Sequence, residues 1–103
     1  MISIADTPDT AVTEIAKHLK PFEAAHRDAL IHVYRYNTAS IRVRIVDECF
    51  RNRDKGERHD YAFGFLESLP NEVTSQLSLL LCLAPGETSL LNVDFESPSP
   101  SLF

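Results

Sequence analysis

Between Val12 and Phe22 the apolar residues Ile15, Ala16 and Leu19 recur at spacings of three and four, which places them on one face of a helix. Asp9 or Thr10 is suited to cap its start, accepting backbone N–H groups that the first turn leaves without partners. Thr10 with Thr13 and Glu14 makes only an approximate capping box. Pro21 lies within the apolar stripe and has no N–H to donate, so the pattern predicts either a kink or a second short turn carrying Phe22 to Ala25. Upstream, Ile2 and Ile4 alternate before the turn-forming Asp6-Thr7-Pro8.

The period then changes from helical to two. Leu30 to Tyr36 and Ser40 to Val46 read as strands joined by Asn37-Thr38-Ala39, with Asn37 suited to a tight hairpin turn. Ile31 and Val33 share a buried face with Ile41, Val43 and Ile45, leaving His32, Tyr34, Tyr36, Arg42 and Arg44 on the other. Phe50 to Lys55 is a charged loop. Asp54 and Glu57 have the spacing of a capping box, so a second helix begins near Lys55, with Tyr61, Ala62, Phe65, Leu66 and Leu69 as its apolar stripe. Gly64 weakens that helix by about 1 kcal/mol relative to alanine and leaves room for a neighbouring backbone. Pro70 ends it and starts a short turn over Asn71 to Ser75. Leu77 to Leu83 is apolar throughout apart from Ser78, as expected of an inner strand buried on both faces, and Pro85-Gly86-Glu87 closes it.

The predicted class is α+β, in the order α-β-β-α-(short α)-β, with a three-stranded mixed sheet covered by helices on one face. Residues 1–87 form a single domain. Residues 88–103 form a tail in which Leu90, Leu91, Val93 and Phe95 lay against the domain before a Ser/Pro-rich end that frays.

Composition narrows the function classes. The chain has 103 residues, 44% hydrophobic and 24% charged, which suits one globular domain. Its net charge of −5 disfavours nucleic acid, whose affinity for proteins comes mostly from Lys and Arg displacing counterions. No apolar run approaches the ~20 residues needed to span a bilayer, so no membrane partner is expected. Two cysteines and the absence of an N-terminal secretory pattern point to a cytoplasmic protein rather than a disulfide-built secreted one.

Ile41-Arg42-Val43-Arg44-Ile45-Val46-Asp47, followed by Phe50 and by Arg58-His59 at a helix start, resembles the BolA family. That family shows a β-branched strand, an aspartate, a phenylalanine and an Arg-His pair. Leu79 to Leu83 with Ala84-Pro85-Gly86-Glu87 is similar to its last strand and close. The resemblance covers residues 30–87 and implies a BolA-like fold, itself near a type II KH arrangement. BolA proteins that share an iron–sulfur cluster with a monothiol glutaredoxin use a histidine just before the last strand and a His or Cys in the hairpin loop. Here those stretches read Ser75-Gln76-Leu77 and Asn37-Thr38-Ala39, so no cofactor is expected. A KH domain grips nucleic acid with a Gly-x-x-Gly loop, which glycines 56, 64 and 86 cannot form.

Two candidate sites remain. Tyr34, Tyr36, Arg42 and Arg44, beside His32, form an interaction face with aromatic and cationic groups suited to single-stranded RNA, or simply a solvated face pairing across strands. Asp47, Glu48, Arg58 and His59 form a polar cluster in which Asp47 or Glu48 is expected to pair with Arg58 and fix the helix entry. An enzyme using His59, Asp47 and Cys49 is the competing reading, but no third positioned group, oxyanion loop or H-x-x-x-H metal spacing accompanies them. His18 and His26 are expected in solvent, and Cys49 and Cys82 as small apolar residues. The sequence therefore points to a non-enzymatic interaction or regulatory domain, with an unknown protein partner or self-association.

Overall fold

The computed structural model describes Ile2–Ile4 and residues 9–87; the expected tail contacts of residues 88–103 lie outside the described residues. The elements are β1 (Ile2–Ile4), α1 (Thr10–His18), α2 (Lys20–Ala25), β2 (Leu30–Asn37), β3 (Ser40–Val46), a 3-10 turn (Glu48–Phe50), α3 (Lys55–Phe63), α4 (Asn71–Thr74) and β4 (Leu77–Leu83). Antiparallel β2 and β3 with β4 parallel to β3 make the expected three-stranded mixed sheet. β1 extends it by a fourth strand, parallel to β2, so the order is β1-β2-β3-β4.

Asp9 is the cap of α1: its Oδ1 accepts the Val12 N–H at 2.9 Å. Arg35, on β2, donates to the other carboxylate oxygen and ties the helix start to the sheet. That hydrogen bond, then the one from Val12, holds the Asp9 carboxyl below its ordinary range. Of the two outcomes open at Pro21, the second short helix is the one formed. α1 stops at His18, Leu19 bridges, and Pro21 sits in the first turn of α2, where a missing N–H leaves no intrahelical bond unmade.

Ile31, Val33, Ile41, Val43 and Ile45 are all essentially inaccessible, as their alternation requires. Val12 and Ile15 from α1, the bridging Leu19, and Phe22 from α2 join them in one core with Phe50, Ala62, Leu66 and Val73. Phe22 is its aromatic centre, with ring centroids 6.0 Å from Phe50 and 5.3 Å, edge-on, from Phe65.

α3 begins where expected, with a full capping box between Asp54 and Glu57. It ends earlier than its apolar stripe suggests. Gly64 is the C-cap, and tighter turns follow in which Phe65 donates to Ala62 and Leu66 to Phe63. These turns keep Leu66 and Leu69 facing the core without a continuous helix. Nor does Gly64 admit a neighbouring backbone: a Cβ there would meet the helix's own Tyr61 and Asp60 carbonyls.

β4 departs from expectation more consequentially. It is an edge strand among the described residues, and Leu77, Leu79, Leu80 and Leu81 are only half-buried. A continuous apolar run reports burial on both faces only when both faces are covered, and among the described residues helices pack on one.

Candidate functional site

The outer side of β4 borders a cleft of about 1010 Å³. Leu79 to Leu83 form its apolar wall, and the start of α3 with Arg53, Arg58, His59 and Glu87 forms its polar rim. Arg58 builds that rim. It donates to both Glu87 carboxylate oxygens at 2.6 and 3.0 Å, to the Cys82 carbonyl at 3.1 Å and to the Arg53 carbonyl at 2.9 Å. Glu87 also accepts the Ala84 N–H at 2.8 Å, across a turn in which Gly86 takes φ 88°, a conformation open to glycine. The Arg58 hydrogen bonds, then that of Ala84, pull the Glu87 carboxyl down to about 2. A fork-to-carboxylate pair therefore fixes the chain as it leaves β4.

On the other face of the sheet the strand register makes two rows: His32, Arg44 and Leu81 in one, Tyr34, Arg42 and Leu79 in the other. Arg44 is only 7% exposed and donates to His32 Nδ1 at 3.2 Å. The Arg42 guanidinium lies 3.6 Å from the centre of the Tyr36 ring. Tyr36, half exposed, is the most open of the five. The face thus carries cross-strand contacts of its own and grades into the apolar wall of β4.

The sequence-adjacent polar residues do not converge. Arg58 pairs with Glu87, not with Asp47 or Glu48, while Glu48 pairs with Arg51. His59 stacks on Phe63, ring centroids 5.6 Å apart, at the cleft rim. Proximity along the chain misled here, because the 3-10 turn and the loop before α3 send the two ends of the segment to different neighbours. The histidine that reaches Asp47 is His26, which is half-buried rather than free in solvent. Its Nδ1 lies 3.3 Å from Asp47 Oδ2, and its Nε2 is 2.8 Å from the Tyr61 hydroxyl. Asp47 also accepts the Cys49 N–H at 3.1 Å. Burial, then the hydrogen bond to Asp47, pushes the Cys49 thiol up to about 12. Burial does the same for Cys82, and both cysteines are free. Neither is a thiolate nucleophile in this state.

At the positions where the BolA resemblance would place cluster ligands, Asn37 accepts the Ala39 N–H and Gln76 lies between the Glu72 carbonyl and Arg35. Neutral amides are not ligands for cluster iron, which takes thiolate or imidazole, so the donor set does not fit the cluster. Among the described residues no helix is long and apolar enough to cross a membrane.

No family model and no curated protein sequence matches the chain. Among solved structures, BolA1 from Arabidopsis thaliana is similar with a TM-score of 0.52 and 14% sequence identity, over 80% of this chain and 100% of that one. At this identity the likeness speaks to architecture alone: the chain has a BolA-like fold.

Proposed function

We propose that this domain is a non-enzymatic interaction module whose β4 edge takes an added strand, supplied by a second copy of the chain. The observation that carries the reading is the edge itself: seven residues, six of them apolar and none charged, with no strand on its outer side among the described residues. Exposed edges pair with other strands unless charge, proline or brevity blunts them. The opposite edge is blunted, since β1 has only three residues. β4 itself holds no charge or proline and is long; among the described residues, Arg58 reaches its far end at the Cys82 carbonyl and leaves Leu77 to Leu81 without a strand on their outer side. Antiparallel pairing of β4 with its own copy brings no like charges together and is self-complementary, as a twofold interface requires. The high thiol pKa values and the dispersal of Asp47, Arg58 and His59 support a binding role over a catalytic one.

Single-stranded RNA binding on the Tyr34, Tyr36, Arg42 and Arg44 face has weaker support. Stacking needs open rings and free-reaching cations, whereas Arg42 packs on Tyr36 and Arg44 is buried.

Light scattering of the full chain against Leu79→Glu/Leu81→Glu tests the proposal. The new carboxylates would sit opposite Arg42 and Arg44 within their own sheet, so the fold is retained, but they would meet across two copies. A dimer that the double variant converts to monomer, with an unchanged circular dichroism spectrum, is the expected result. A monomer at all concentrations, or a dimer indifferent to the substitutions, refutes it.

A further inference from the structure

Away from the β4 edge, His26, Asp47 and Cys49 bring an imidazole nitrogen, a carboxylate oxygen and a sulfur within 4.8 Å of one another. His26 ends α2, Asp47 follows β3, and Cys49 lies in the 3-10 turn. The H-bond pattern orients them. Tyr61 occupies His26 Nε2, which turns Nδ1 toward Asp47, and the Cys49 N–H fixes the carboxylate.

We propose that these three residues form a binding site for a zinc-like divalent cation: His26 through Nδ1, Asp47 through a carboxylate oxygen and Cys49 through its sulfur, with a fourth position for water. The mixture of nitrogen, oxygen and sulfur donors is one that zinc accepts, and three protein ligands with an open fourth position is a known zinc arrangement. With bonds of about 2.0–2.3 Å, adjacent donors in a tetrahedral site lie about 3.3–3.8 Å apart. The His26–Asp47 pair, at 3.3 Å, already meets that spacing. All three donors lie within 4.8 Å, so the Cys49 sulfur must close by no more than about 1–1.5 Å, which rotation of its side chain about χ1 supplies. A carboxylate and a thiolate together neutralise a dication, so the partly buried site carries no net charge once the cation is bound.

The protons balance without a redox partner. The cation displaces the Cys49 thiol proton to solvent. The imidazole keeps one proton, held on Nε2 and donated to the Tyr61 oxygen, leaving the Nδ1 lone pair for the metal. Tyr61 is thus a positioning residue, as hydrogen-bonded partners of metal-bound histidines commonly are. Asp47 is nearly buried while the His26 side chain is 20% exposed, so the cation enters from the His26 side.

Cobalt(II) titration of the chelator-treated full chain tests this, because cobalt reports both thiolate ligation and tetrahedral geometry in its absorption spectrum. Expected is a sulfur-to-cobalt charge-transfer band saturating at one equivalent and bleached by added zinc. Cys49→Ser and His26→Gln should abolish it, Cys82→Ala and His59→Gln should leave it, and Tyr61→Phe should weaken affinity about 10–100-fold. Circular dichroism of each variant separates lost ligation from lost fold, and the wild-type titration decides alone if a variant does not fold. No charge-transfer band in the wild type, or a band that survives Cys49→Ser, overturns the site and leaves the cluster as an ordinary hydrogen-bonded triad.

Discussion

At the scale of single residues, the Asp54–Glu57 capping box holds the start of α3, and the Arg58–Glu87 pair holds the chain as it leaves β4. Asp54 and Glu57 cap α3 as their spacing requires, since both partners lie within one turn. Asp54→Ala removes the acceptor for the Glu57 N–H and should cost about 1 kcal/mol in a denaturant titration; an unchanged midpoint would deny the cap its role. The pairings Arg58–Glu87 and His26–Asp47 join residues far apart in the chain, and no spacing rule announces them. Glu87 makes its contribution visible through pH. Its carboxyl is held at about 2 in the folded chain against an ordinary 4.5, so it stabilises the fold fully above about 4.5 and loses that effect as pH falls toward 2. Glu87→Gln should therefore flatten the acid limb of a stability–pH curve. Parallel curves for variant and wild type would show that the Arg58 pair is not coupled to folding.

At the scale of elements, the alternation of the β2–β3 hairpin was decisive for its apolar residues, which are buried as the period selects, while Arg44 on the other face is buried as well. Shorter or uniform segments were less legible. β1 has too few residues to establish a period, and it becomes a strand because β2 offers it an edge. The apolar run of β4 looked like an inner strand because composition cannot say which side of a sheet is covered. Pro21 offers a direct test of how the first helical segment is built. In the first turn of α2 its ring costs no hydrogen bond and restricts the unfolded chain, so Pro21→Ala should destabilise by about 0.4–1 kcal/mol. A proline within a continuous helix predicts the reverse, a gain of up to about 3 kcal/mol on substitution. Thermal melts of the two proteins distinguish these arrangements by sign alone.

At the scale of the whole molecule, the BolA-like fold followed from the order of elements and a handful of residues between Ile41 and Glu87, and the likeness to BolA1 from Arabidopsis thaliana supports it at the level of architecture. At the two positions where the resemblance would place cluster ligands, Asn37 and Gln76 offer only neutral amides. What the architecture does provide is asymmetry between its two edges: three residues in β1, seven apolar-rich residues in β4. That asymmetry is the basis for assigning the interaction to β4. Hydrogen exchange of the full chain, followed by mass spectrometry across a range of protein concentrations, addresses it most directly. If a second copy pairs with β4, the amides of Leu77–Leu83 should exchange more slowly as concentration rises while those of β1 do not change. Exchange in Leu77–Leu83 that is independent of concentration, or protection that appears elsewhere instead, would contradict the account.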